Sequence, residues 1–267
     1  MGKKRYVLLE PDESRLDHFA QLDAWVCRTP KDIVAVVSYA TKSSVWISFG
    51  PKSDDDFLKA VLGRTMPPGR LLALKPPRIE TVPLLTSYFQ RVFGIGPAFH
   101  FLADEELVEV LKSSQEEARD VFIGGAVDLK NGAVGLIRGD VTMVVVPLSV
   151  FRPNKVTKPN PKKLAFADYG QTVCLGDYEA SADSILYEVD PRYRARINAK
   201  RRADEVTFGA SLRRLRRQRM LSRDDFAPVS AKTIARIERS DTERPRGKTL
   251  KAICRRLGVG PDEIATY

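Results

Sequence analysis

Histidine and cysteine, the residues that most often hold metals or perform nucleophilic and acid–base chemistry, are scarce here: two histidines and three cysteines in 267 residues. His18 falls in a helical pattern and His100 in a strand pattern. No Gly-x-Ser-x-Gly, His-Glu-x-x-His or phosphate-loop pattern accompanies either one. Cys27, Cys174 and Cys254 lie far apart and form no Cys-x-x-Cys, which argues against a zinc site and against a disulfide framework. Long apolar runs are also missing. No stretch approaches the 18 or so residues of a membrane span, and the apolar run after Met1-Gly2-Lys3-Lys4-Arg5 covers only residues 6–9, too short for a signal-peptide core. These absences lead us to expect a cytoplasmic protein with no enzymatic constellation, metal or cofactor.

What the chain has is basic charge, unevenly placed. Lys and Arg number 44 against 34 Asp and Glu, a formal charge of +10. Residues 191–267 alone hold 21 basic and 9 acidic side chains, leaving 23 against 25 for residues 1–190. The whole excess therefore belongs to the last 77 residues. A domain so basic beside a nearly neutral body is suited to a polyphosphate partner, and without an apolar face for a bilayer that partner is nucleic acid.

The length allows two or three domains at roughly 100 to 200 residues each. From the N-terminus, strand-like runs alternate with helical patterns: Tyr6-Val7-Leu8-Leu9, Ala24-Trp25-Val26-Cys27, Val45-Trp46-Ile47-Ser48-Phe49 and Leu71-Leu72-Ala73-Leu74, separated by amphipathic stretches. Such alternation predicts an α/β layer over residues 1–95. The order resembles a shortened response-regulator receiver, with Asp12 and Glu13 after the first strand and Lys75-Pro76 after the last. The receiver's phosphorylated aspartate should close the third strand, where Gly50-Pro51 stands instead, so the resemblance implies a binding module without phosphoryl chemistry.

Residues 96–190 read as an antiparallel α+β domain. Apolar segments at 121–127, 133–137 and 141–146 are punctuated by Lys130-Asn131-Gly132 and Arg138-Gly139-Asp140, which predicts a meander with a tight Asn-Gly turn. Residues 152–163, with three prolines and no periodicity, predict a loop. Val145-Val146-Pro147-Leu148-Ser149-Val150-Phe151 is similar to a small bacterial α+β family of unknown function, often found with helix-turn-helix domains; the resemblance implies an accessory module. Residues 182–202 then predict a basic amphipathic helix broken at Pro191, with 191–206 as a linker that lies on the body, pairs with a second subunit or tracks phosphates.

The last segment, 207–267, shows five short helical patterns. Phe208, Leu212 and Leu215 share one face of a first helix ending near Gln218, and Ser222-Arg223-Asp224-Asp225 predicts a capped second helix running to about Pro228. Ser230 caps a third, from Ala231 to about Arg239. At 100° per residue, Lys232, Arg236 and Arg239 fall within about 60° of each other, with Ile234 and Ile237 opposite. A short helix with an apolar rear and long cations in front suits entry into the DNA major groove. Ser222-x-x-x-Phe226-Ala227, then Thr233-Ile234-Ala235-Arg236-Ile237-Glu238-Arg239, then Leu257-Gly258-Val259-x-x-Asp262-Glu263-Ile264, resembles the lambda-repressor-like (Xre) helix-turn-helix family.

That resemblance implies base-reading sites at Ala231, Lys232, Ala235 and Arg236, with Arg239 at the far end of the helix. It implies phosphate contacts at Ser222, Arg223 and Thr233 beside the cap Ser230, and added charge from Arg244, Arg246 and Lys248. Glu238 matches a carboxylate that pairs with a first-helix arginine, here Arg213 or Arg216. The shortened turn at 227–230 with Pro228, and Ser240 in place of a helix-ending glycine, depart from the family pattern. The reading is a bacterial-type, nucleoid-associated transcriptional regulator that binds double-stranded DNA as a homodimer, its first 190 residues serving dimerisation, sensing or partner docking. The alternative is a DNA-binding adaptor or antitoxin-like protein whose N-terminal part captures another protein or a small ligand.

Overall fold

The computed structural model describes residues 5–9, 13–65, 69–153, 156–204, 207–239 and 244–265. The chain divides into two compact bodies, residues 1–189 and 190–267.

The first body opens with β1 (Tyr6–Leu9), α1 (Glu13–Phe19), β2 (Ala24–Cys27), α2 (Pro30–Val37), β3 (Val45–Ser48), α3 (Pro51–Val61), β4 (Arg70–Ala73), α4 (Val82–Tyr88) and β5 (Arg91–Phe93). The five strands form a parallel sheet in the order β2-β1-β3-β4-β5, that of flavodoxin-like doubly wound folds. Both faces are covered, so β1 and β3 are buried at every residue, as expected of parallel strands beneath two layers of helices. Alternation assigns the faces. Val7, Leu9, Trp46 and Leu71 pack with Ile33, Val36, Phe57 and Leu85 of α2, α3 and α4. Tyr6, Leu8, Val45, Ile47 and Leu72 point the other way. Asp12 lies outside the described residues, and β3 closes on Ser48-Phe49-Gly50 without a carboxylate.

The sequence pattern placed a domain boundary at residue 95; the packing removes it. After β6 (Phe99–Phe101) come α5 (Asp104–Lys112) and α6 (Gln115–Ala118). Leu107, Val108 and Leu111 of α5 fill the same cluster as Tyr6, Leu8 and Ile47, together with Ile123 and Ile137 of the following strands. The Tyr6 hydroxyl donates to the Leu111 carbonyl at 2.7 Å, and the Arg15 guanidinium of α1 grips the Asp104 carboxylate with two nitrogens. Residues 1–95 and 96–189 thus share one core.

The expected meander is β7 (Phe122–Asp128), β8 (Ala133–Arg138) and β9 (Met143–Pro147), which with β6 makes an antiparallel sheet in the order β6-β7-β8-β9. Its first turn takes four residues rather than two: Asp128 pairs with Ala133, its carboxylate accepts from the Asn131 backbone N–H at 3.0 Å, and Gly132 adopts φ of 62°. A 3-10 turn at Leu148–Val150 follows β9. β10 (Leu164–Ala167), β11 (Thr172–Leu175) and β12 (Tyr178–Ser181) form a third, antiparallel sheet before α7 (Ala182–Val189).

The second body holds α8 (Pro191–Asp204), α9 (Phe208–Gln218), a 3-10 turn (Arg223–Phe226), α10 (Ala231–Glu238), α11 (Gly247–Leu257) and α12 (Pro261–Ala265). The helix expected over 182–202, with its break at Pro191, is two helices, α7 and α8. Asp190 interrupts it: its carboxylate accepts from the Arg192 N–H at 2.8 Å and the Tyr193 N–H at 3.2 Å, and Pro191 starts α8, where a missing N–H costs nothing. α8 belongs with the helices that follow and is not a linker between bodies. Among the described residues no helix is long and apolar enough to cross a membrane.

Candidate nucleic-acid interface

The core of the second body is Leu212 and Leu215 of α9, Phe226 of the 3-10 turn, Ile234 and Ile237 of α10, Ile253 and Leu257 of α11, and Ile264 of α12. Each comes from the apolar stripe of a short helix, and local chemistry fixes where each helix starts and stops. Thr207 caps α9 by accepting from the Ala210 N–H at 3.1 Å. Ser230 caps α10, accepting from the Thr233 N–H at 3.2 Å. Gly258 ends α11 in the left-handed region, at φ of 64°.

The second helical pattern is shorter than the spacing predicts. Ser222 and Asp225 form a capping box, with the Ser222 N–H donating to the carboxylate at 2.5 Å, yet only a four-residue 3-10 turn follows. Pro228 disfavours helical geometry at the residue before it, and Ala227 is accordingly extended at ψ of 138°.

α10 presents the face anticipated for it. Lys232, Thr233 and Arg236 are exposed, as is Arg239 at its C-cap; Ala231 and Ala235 are half-buried; Ile234 and Ile237 are buried behind. The first-turn N–H groups of Ala231 and Lys232 have no partner within the helix and face the end where an anion is favoured. The Thr233 hydroxyl sits 2.9 Å from that of Ser230. Ser240 lies outside the described residues.

Two features hold α10 in place. At its end Glu238, 1% exposed, accepts from Arg216 Nε at 2.5 Å and Nη2 at 3.3 Å, and from Arg223 Nε at 2.9 Å. Arg216 also donates to the Leu221 carbonyl at 2.8 Å. Burial works to raise the Glu238 pKa, but hydrogen bonds and charge from the two arginines outweigh it and hold the carboxyl below the usual glutamate range. Of the two arginines the sequence offered for Glu238, Arg216 is the partner, and Arg223 joins it. The second feature, Gly209 of α9, went unnoticed in the sequence: a Cβ there would lie 1.9 Å from the Ile237 carbonyl oxygen, so the backbones of α9 and α10 meet only because the side chain is absent. Glycine in the first turn of an otherwise strong helix, beside Ala210 and Ser211, was the available signal.

The expected flanking contacts separate. Ser222 is exposed at its cap, and Arg223 is exposed but engaged with Glu238. Arg244, expected to add charge toward DNA, instead pairs with Asp262 at 3.0 Å and lies over the Phe208 ring. Arg246 is the N-cap residue of α11, and both it and Lys248 are exposed. Among the described residues no three His, Cys, Asp or Glu side chains gather to hold a metal. In the first body an open cleft of about 390 Å³ is lined by apolar side chains with His100 and Lys162 at its polar points.

Residues 207–266 match a family model described as a helix-turn-helix domain. No curated protein and no solved structure matches the chain.

Proposed function

We propose that this chain is a non-enzymatic, sequence-specific transcriptional regulator that reads duplex DNA with α10 in the manner of lambda-repressor-like proteins. It acts as a homodimer on the bacterial nucleoid in the cytoplasm. One observation carries the reading: within a helix-turn-helix domain, α10 sets Lys232, Arg236 and Arg239 on the side opposite Ile234 and Ile237, so one short helix is core behind and cationic in front. Arg and Lys reach guanine O6 and N7 from such a position, while the free N–H groups at the helix start and the Ser222, Ser230 and Thr233 hydroxyls suit phosphate oxygens. One helix reads few base pairs, and two copies reading half-sites about one helical turn apart supply the rest. The first body dimerises, docks a partner or senses a ligand, and the cleft at His100 and Lys162 supports the sensing role through its size and mixed lining.

The test is a genomic-fragment binding selection at physiological salt with the full chain and with its Lys232→Ala/Arg236→Ala variant. An inverted-repeat motif enriched by the parent and lost by the variant is the expected result. Singly, Arg236→Ala should cost about 1 to 3 kcal/mol on the selected site and relax one base position. Equal losses on selected and random DNA would remove Arg236 from base reading. No motif for the parent would defeat the regulator reading and leave the adaptor one.

A further inference from the structure

The first body is close to neutral as a whole, yet its charge is unevenly spread. Of the 23 basic and 25 acidic side chains in residues 1–190, five of the basic and none of the acidic fall in the proline-rich segment 152–163. The end of that segment walls the cleft already described. β10 packs against β6 and β7, so the chain entering β10, at Pro161 and Lys162, faces the two strands across the cleft. His100 of β6 pairs with Gly125 of β7, and strand alternation sets Val127 on the same face two residues further along β7. Pro97 and Pro161 fix φ where the chain enters each wall, and the resulting volume of about 390 Å³ lies in the range of small-molecule sites.

The lining divides sharply into apolar and cationic parts. Val127 and Leu164 are half-buried and buried, whereas Leu129 is 55% exposed and offers apolar surface that nothing in the body covers. Neither the Lys162 ammonium nor the His100 imidazole has a hydrogen-bond or ion-pair partner among the described residues. The one acidic residue within the lining segments, Asp128, is engaged by Asn131, whose backbone N–H and side-chain amide both donate to it. A cleft with an apolar floor, one ammonium, one imidazole N–H and no free carboxylate complements an anion with an apolar body. A cationic solute would meet Lys162 with like charge. A neutral one would leave the ammonium unmatched, and a dianion would leave half its own charge unmatched.

We propose that this cleft binds a small organic monoanion: a carboxylate held by Lys162 and His100, on a body of one or two rings or a short acyl chain that lies against Val127, Leu129 and Leu164. The inference rests on the sensing role given to the first body and names the class of ligand sensed.

The experiment titrates the full chain with 2-naphthoate and with the neutral 2-naphthamide, and repeats both titrations on Lys162→Gln, Lys162→Arg and Ala98→Trp variants. Naphthoate should bind the parent about tenfold more tightly than the amide, the share of one charge-assisted hydrogen bond. Lys162→Gln should erase that preference and Lys162→Arg should keep it. Ala98→Trp fills the cleft from an exposed position and should abolish binding of both probes. Should the tryptophan variant fail to fold in a thermal melt, the Lys162 pair decides, because its readout is a ratio between two probes on one sample. Equal binding of the two probes, or no binding of naphthoate at millimolar concentration, overturns the proposal. A preference that survives Lys162→Gln overturns it as well, since the anion then sits elsewhere on a basic chain. Affinity for the selected duplex, measured with and without saturating naphthoate, tests the sensing role separately. A changed affinity in the parent but not in Lys162→Gln supports both, and an unchanged affinity beside intact cleft binding defeats the sensing role alone.

Discussion

Two buried carboxylates sit in opposite circumstances, and each fixes the sign of a pH response. Asp54 on α3 is fully buried and neither of its oxygens has a hydrogen-bond partner; the Ser48 hydroxyl beside it donates instead to the Gly50 carbonyl at 3.3 Å. Burial pushes its pKa up to about 6, and the charge of Asp55 adds to the shift. Since the folded pKa lies above the unfolded one, ionisation favours unfolding: the penalty is complete above about pH 6 and fades as pH falls toward 4. It amounts to about 3 kcal/mol at neutral pH. Asp54→Asn should therefore stabilise the first body in urea melts at pH 7.5, with most of the gain gone at pH 4. Glu238 is the reverse. Its depressed pKa gives stability that is present at neutral pH and lost as pH falls below the ordinary glutamate range. Glu238→Gln leaves Arg216 and Arg223 facing a neutral amide and should cost the second body about 3 kcal/mol or more at pH 7, read by thermal unfolding.

At the scale of elements, α10 depends on its approach to α9. Gly209→Ala would add about 1 kcal/mol of helix propensity, but it drives a methyl into the Ile237 carbonyl, and a backbone contact has no rotamer through which to yield. Overpacking should win by about 1 to 3 kcal/mol, with DNA affinity falling although Lys232 and Arg236 are intact; a melt and a binding isotherm on the same sample check this. The elements most legible in the sequence are those whose limits are set by near neighbours: the Ser230 cap and the alternation of β7 to β9. The 3-10 turn at Arg223–Phe226 was misread as a fuller helix because the capping box is a strong start signal and the effect of Pro228 reaches back further than periodicity reveals. Arg223 was assigned to phosphate because nothing local shows that Glu238, fifteen residues on, would face it.

At the scale of the whole molecule, the false boundary at residue 95 has the same origin over a longer distance. Tyr6 and Leu111, 105 positions apart, meet because α5 completes one face of a sheet whose last strand ends at Phe93, and no window of sequence contains both. The second body, by contrast, shows its basic excess within 77 consecutive residues, although the sequence pattern set 191–206 apart from it as a linker. Two bodies with separate cores should unfold in two transitions, and scanning calorimetry should shift them in different windows: the first upward between pH 7.5 and 4 as Asp54 takes its proton, the second holding there and moving downward only below the ordinary glutamate range, where Glu238 is at last protonated. A single transition across that range would mean that the bodies are thermodynamically one.

The contact at Gly209 also has a genetic consequence. Every replacement there adds at least a Cβ, so position 209 admits no conservative change, whereas each cation on α10 has graded substitutes. A screen for loss of binding would collect position 209 alleles beside those at Lys232 and Arg236. Their phenotype would mark the seat of the reading helix rather than a letter that it reads.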